Sequence, residues 1–118
     1  MFDIENFKQI NDRYGHLVGD DVLIKLVSLI NDDKRSKDHV FRYGGDEFFI
    51  LLPNTDLAGA NKVAKRLMTL VRETHFPKVN HVTISVAVAE YQRQDVDGFI
   101  QMLDGLMYQA KKTNKQNV

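Results

Sequence analysis

Apolar positions along the chain alternate between a helical and an extended period. Phe7, Ile10 and Tyr14 fall at helical spacing and predict a short helix from about Glu5 to Tyr14. Gly15 ends it, the stretch Gly15 to Gly19 reads as a turn, and Asp20 suits the N-cap of a second helix. That helix carries an apolar stripe of Val22, Leu23, Leu26, Val27 and Ile30, and Asn31 to Lys37 follows as a charged loop. From His39 to Leu52 the pattern changes to two runs rich in aromatic and β-branched residues, joined by Gly44-Gly45-Asp46-Glu47. These predict two strands of a hairpin, with Pro53 closing the second. Asn54-Thr55-Asp56 is a helix start, and Ala60, Val63, Ala64, Leu67 and Val71 carry a third helix to about Arg72. His81 to Glu90 alternates, with Val82, Ile84, Val86 and Val88 on one face and small residues on the other, as expected of a strand covered on both sides. Asp95 caps a fourth helix that buries Phe99, Ile100, Leu103, Leu106, Met107 and Ala110, and Lys111 to Val118 is a polar, basic tail.

Met1 and Phe2, ahead of Asp3, make a strand stub. The predicted order is therefore strand, helix, helix, strand, strand, helix, strand, helix. This is an α/β (α+β) arrangement in which helices cover one antiparallel or mixed sheet, similar to the split β-α-β unit of ferredoxin-like palms. In that topology the first strand is central, yet little of it remains here against about 5–6 residues for an ordinary strand.

Composition narrows the function classes. The 118 residues suit one domain, and 43% hydrophobic residues supply a core. Lys+Arg and Asp+Glu are 16 each, so no net field points to nucleic acid or an acidic membrane. The absence of cysteine excludes disulfides and thiolate zinc sites and fits a reducing compartment. No apolar run approaches a membrane span, and the first residues lack the pattern of a signal peptide. The four histidines have no metal-ligand spacing, and no P-loop, dinucleotide fingerprint or nucleophile triad is present.

The hairpin turn holds the chemistry. Gly44 and Gly45 can take backbone angles closed to other residues and admit another molecule close to the main chain. Asp46 and Glu47 are then adjacent carboxylates between strands. Read alone they are either a solvated acidic turn or oxygen ligands for a hard cation. Asp3, at the end of the strand stub, is either a helix N-terminal charge or a third carboxylate at the same sheet edge.

Two long segments carry a family resemblance. Asp3-Ile-Glu-Asn-Phe-Lys8-Gln-Ile-Asn11-Asp-Arg-Tyr-Gly15-His16-Leu-Val-Gly19-Asp20 resembles the first signature of the GGDEF family of diguanylate cyclases, and Arg42-Tyr-Gly-Gly-Asp-Glu-Phe48 resembles the signature that names it. Val82-Thr-Ile-Ser-Val-Ala-Val-Ala89 and Asp104-Gly-Leu-Met-Tyr108-Gln-Ala110-Lys111 resemble its later strand and last helix. The resemblance implies an adenylyl-cyclase-palm-like sheet with the Gly-Gly-Asp-Glu turn on a hairpin. It also implies that residues 1–118 form a single, N-terminally shortened GGDEF domain. The implied activity is condensation of two GTP into cyclic di-GMP in bacterial signalling, in the cytoplasm, by a homodimer, normally under a sensory or receiver domain that this chain lacks.

By the same resemblance Asp3 and Asp46 hold Mg²⁺ (or Mn²⁺), with the carbonyl of Ile4 as a further contact. Glu47 is a second ligand or activates the 3′-hydroxyl. Asn11 and Asp20 read guanine, because a carboxylate accepts from both N1–H and the 2-amino group and an amide completes the base edge. Gly44, Gly45, Lys8, Lys111 and Lys115 meet phosphates; Lys115 stands where the family has Arg, a weaker phosphate partner. Arg35-Ser-Lys-Asp38, with Arg42, matches the motif at which cyclic di-GMP binds and restrains the enzyme. Read without the family, it is a charged loop. Ala87 stands in place of a usual Gly, and Leu103, Gly105 and Leu106 replace small residues around Asp104.

Overall fold

The computed structural model describes the backbone of residues 1–116 and the side chains of residues 1–112. Its elements are β1 (Phe2–Ile4), α1 (Phe7–Tyr14), α2 (His16–Asp33), β2 (His39–Gly44), β3 (Glu47–Leu51), α3 (Leu57–Glu73), β4 (Ile84–Val86) and α4 (Val96–Gln116). The order agrees with the one the hydrophobic pattern predicts. The sheet runs β2-β3-β1-β4 with every pair antiparallel. β1 is three residues long but internal, so both of its edges are paired and all three residues are buried.

Strand alternation sends neighbouring side chains to opposite faces. Phe2, Ile4, Phe48 and Ile84 join Val22, Leu23, Leu26 and Ile30 of α2 and Leu67 and Val71 of α3 in the larger core. Phe2 stacks on Phe48 with ring centroids 5.1 Å apart. On the other face Met1, Phe49 and Ala87 pack with Leu103 and Met107 of α4. Asp3, between Phe2 and Ile4, belongs to this α4 face, as do its register partners Glu47 and Ser85.

Local details depart from the sequence reading for physical reasons. α1 begins at Phe7, because Asn6 takes a left-handed conformation (φ 58°, ψ 30°). The turn expected from Gly15 to Gly19 is absent: Gly15 alone makes the break, α2 begins at His16, and Asp20 lies inside its first turns instead of capping it. α2 also runs on through Asp33 into the expected loop. β4 covers Ile84–Val86 where ten residues were expected, because its one partner, β1, offers only three residues to pair with. The caps on α3 and α4 are as expected: Gly59 N–H donates to Asp56 Oδ1 at 2.8 Å, and Gly98 N–H to Asp95 Oδ2 at 3.1 Å.

Beyond Met1, an apolar groove of about 670 Å³ opens between the end of β3 and residues 87–90, bounded by α3 and α4. Phe49, Leu51, Val63, Ala89 and Phe99 are among the residues lining it. Among the described residues, no helix is long and apolar enough to cross a membrane.

Candidate active site at the β1–β3 edge

The antiparallel pairing of β1 with β3 makes Asp3 and Glu47 direct cross-strand partners. Asp46 precedes Glu47 at the hairpin turn, so three carboxylates from two distant parts of the chain share one sheet edge. Asp3 is 2% exposed. Its Oδ2 accepts from Lys111 Nζ of α4 at 2.5 Å, while Oδ1 is buried with no hydrogen-bond partner. Burial pushes the Asp3 carboxyl above the ordinary carboxylate range; Lys111 pulls it down without cancelling that, and Asp46 and Glu5 add to the rise. Glu47 is also raised, first by burial and then by the charges of Asp104, Asp3 and Asp46. Lys111 is held above the usual lysine value by its bond to Asp3, against its own partial burial. The edge thus gathers more negative charge than one lysine balances, with a buried acceptor left orphaned.

A hard cation fits this chemistry: carboxylate oxygens on a rigid strand and turn, one of them unsatisfied. Among the described residues, no group of three His, Cys, Asp or Glu side chains closes into a metal cage. Of the expected convergence, the structure shows the three carboxylates on one sheet edge without that closure. Ile4 follows Asp3 as the last residue of β1.

The turn is built for access. Gly45 has φ +52°, a conformation costly for side-chain-bearing residues, and a Cβ at Gly44 or Gly45 would meet nothing within 4 Å. The register slips between Arg42 and Gly44, and Arg42 Nε donates to the Gly45 carbonyl at 2.8 Å, bracing the turn from inside β2.

α1 leaves the same edge. Lys8 sits exposed in its first turn. Asn11, in the second turn, lies against Gly19 of α2, and Asp20 is the next residue, exposed to solvent. The structure therefore places Asn11 beside Gly19, the residue before Asp20, through the α1–α2 packing and not through an N-cap. Lys111 reaches the carboxylates; the side chain of Lys115 lies outside the described residues.

Arg35 and Asp38 form a separate cluster before β2. Arg35 Nη2 is 3.0 Å from Asp38 Oδ1 and donates to Thr55 Oγ1 at 2.8 Å. Asp38 is buried, which alone would raise its pKa, but the bonds from Arg35 hold it below the usual carboxylate range. Arg42 is not with this pair; its guanidinium lies on the hairpin turn at the far end of β2. Separately, Arg66 Nε of α3 donates to Asp33 Oδ2 at 2.9 Å at the end of α2.

Two residues at the site carried no role in the sequence reading. Asp104 acts electrostatically on Glu47; it precedes Lys111 by two helical turns, and that spacing on one α4 face was the available signal. Glu5 accepts from Thr83 Oγ1 at 2.7 Å and Ser85 Oγ at 2.8 Å, tying the β1–α1 turn to β4. No local pattern announces that contact.

Comparison with known proteins places the chain. The family model described as "Diguanylate cyclase, GGDEF domain" matches residues 1–117. Diguanylate cyclase DgcM of Escherichia coli is 34% identical over 119 residues, covering 100% of this chain and 29% of that protein, so the chain spans under a third of that relative's length. The crystal structure of diguanylate cyclase SiaD in complex with its activator SiaC, from Pseudomonas aeruginosa, superposes with TM-score 0.88 at 33% identity, covering 95% of this chain and 45% of that one. The active GGEEF domain of a diguanylate cyclase from Vibrio cholerae superposes with TM-score 0.83 at 32% identity, covering 95% of this chain and 74% of that one. With its Gly-Gly-Asp-Glu turn beside Asp3 on the central strand, the chain belongs to the GGDEF family of diguanylate cyclase domains.

Proposed function

We propose that the domain condenses two GTP into cyclic di-GMP with release of two pyrophosphates. The observation that carries this is the cross-strand pairing of Asp3 with Glu47 beside an open glycine turn, with Asp3 Oδ1 buried and unpartnered. In each half-reaction the 3′-oxygen of one GTP bonds to the α-phosphorus of the other. The bond from that phosphorus to the bridging oxygen of the β-phosphate breaks, and the hydroxyl proton leaves to a base. Glu47 suits that base: half-buried among acidic groups, its raised pKa makes it a better proton acceptor than an ordinary glutamate. Asp3 and Asp46, with the Ile4 carbonyl, would hold Mg²⁺ (or Mn²⁺), which when bound neutralises the triphosphate and eases departure of pyrophosphate. Lys111 and Lys8, the Gly44–Gly45 main chain and the amides opening α1 bind and orient the phosphates; Lys115 extends that set. Asn11 and Asp20 read the guanine edge.

One chain offers one GTP site, so the reaction runs in a homodimer with the two nucleotides facing across a two-fold axis. Activity then rises with the square of enzyme concentration when dimerisation is weak. Arg35 and Asp38 form a product-binding site, with Arg42 reaching bound nucleotide from the hairpin. The domain acts in the cytoplasm, where GTP is available, under a sensory or receiver domain in a longer protein. The test is incubation of the purified chain with GTP and Mg²⁺ and chromatography for cyclic di-GMP. Formation of product, lost in Asp3→Asn with GTP affinity retained, supports the proposal; a folded dimer that yields none overturns it.

A second reading has its own support: Lys111 already occupies one oxygen of Asp3. A domain that binds GTP or cyclic di-GMP without turnover would keep that pair closed. Calorimetric binding of cyclic di-GMP lost in Arg35→Ala, with no product formed from GTP, would favour it.

A further inference from the structure

Gly19 is buried in the first turns of α2, facing Asn11 and Phe7 of α1. A Cβ built on it would lie 1.8 Å from Asn11 Oδ1 and 2.9 Å from Asn11 Cγ. Neither separation is tolerable, whereas the next nearest atom, Phe7 Cζ at 3.4 Å, is at the limit of ordinary contact. The Asn11 amide therefore rests on bare backbone, and only the absence of a side chain at Gly19 lets it lie there. Asn11 is half-buried and Asp20 directly follows Gly19, so this contact fixes where the amide stands relative to the carboxylate. A residue inside a helix with ordinary φ gains nothing from glycine; alanine is the better helix former. The conformational penalty is accepted at a position where steric room is what matters.

We propose that Gly19 is a positioning residue for guanine recognition: it seats the Asn11 amide against α2 so that Asn11 and Asp20 present one continuous edge to the base. This rests on the reading of Asn11 and Asp20 as the guanine-binding pair. Any side chain at position 19 lifts the amide off α2, and because reading a base edge depends on both groups at once, misplacement by about an ångström costs on the order of tenfold to a hundredfold in affinity. ATP, which lacks the guanine donors, gains nothing from the arrangement and loses nothing with it.

The experiment is calorimetric binding of GTP and of ATP to the full chain and to Gly19→Ala, Asn11→Ala and the double variant, each with a thermal melt. The expected result is that Gly19→Ala and Asn11→Ala each weaken GTP by about tenfold or more without weakening ATP, and that the double variant is no worse than Asn11→Ala alone. In the melts, Gly19→Ala is less stable than the parent, but the same substitution in the Asn11→Ala background raises the melting temperature, since the clash is gone and helix propensity remains. That background keeps the test open if Gly19→Ala alone does not fold. If Asn11→Ala weakens GTP but Gly19→Ala does not, or the two losses add, the positioning role is overturned and the base-reading assignment stands. If Asn11→Ala leaves GTP and ATP unchanged, both are overturned together.

Discussion

Replacing Lys111 by Met tests the electrostatics of the site without touching a carboxylate. Asp3 is the buried partner, its side chain 3% exposed, and Lys111 the wetter one at 45%. Removing one member of a fully buried ion pair costs about 3–5 kcal/mol, and an exposed pair is worth about 0.2–1 kcal/mol. With one partner in each environment, the loss here is about 1–2 kcal/mol. For a domain of this size each kcal/mol moves the melting temperature by roughly 3–6 °C, so the variant should melt about 3–12 °C lower at pH 8. The penalty must depend on pH. Asp3 already has its carboxyl raised by burial, and loss of Lys111 raises it further. A raised folded-state pKa contributes stability that is fully present below the unfolded carboxylate value, about 4, and lost as pH rises through the folded value. The gap between variant and parent therefore closes on acidification. A divalent cation should also close it, because Asp3 then regains a positive partner. Calorimetric melts at pH 5 and pH 8, with and without 10-fold steps of Mn²⁺, read both effects. A variant as stable as the parent at pH 8, or one whose deficit is the same at both pH values, would refute the claim that Lys111 balances the buried Asp3 carboxylate.

Other outcomes follow from the same geometry. Glu5→Ala removes the acceptor for Thr83 and Ser85 and should cost about 1–3 kcal/mol in a chemical melt, with Glu5→Gln losing less. Arg35→Ala leaves the buried Asp38 carboxylate without its main partner and should cost about 1–3 kcal/mol; calorimetry should show cyclic di-GMP affinity falling with it. Because Asp38 is held low by Arg35, the stability it contributes is present above the unfolded carboxylate value and lost as pH falls through the folded value, a trend opposite to Asp3 and absent in Asp38→Asn. Gly45→Ala forces a side chain into φ +52° with space around it, so it should cost about 1–2 kcal/mol from backbone strain alone. Product formation should rise with pH through the elevated Glu47 pKa, a limb that Glu47→Gln abolishes.

Periodicity and turn chemistry are local, and so was what the sequence made legible. Eight elements in the right order, the hairpin, and the caps Asp56 and Asp95 all follow from spacing within a few residues. The neighbouring of Asp3 and the acidic turn was legible only through topology, which the strand order bears out. What escaped depends on packing between distant segments. Gly15 to Gly19, expected as a turn, is mostly helix, and Asn11 packs on it at Gly19. The length of β4 is set by its partner and not by its own alternating residues. Lys111 was given a phosphate role by resemblance alone; its pairing with Asp3, more than a hundred residues earlier in the chain, appears only once α4 crosses the sheet. Arg42 was grouped with Arg35 and Asp38 by the family resemblance alone; its own contact, with the Gly45 carbonyl at the hairpin turn, comes from the extended strand that carries it there.

The central claim is that Asp3 and the Gly44-Gly45-Asp46-Glu47 turn form one phosphoryl-transfer site. It is tested most directly by quantifying cyclic di-GMP from GTP and Mg²⁺ with the parent chain, Asp3→Asn and Glu47→Gln, each verified to be folded and to bind GTP. Product is expected from the parent, with a loss of about a hundredfold or more in both variants. Product formation unchanged in Asp3→Asn, or none from a folded, dimeric, GTP-bound parent, would contradict it.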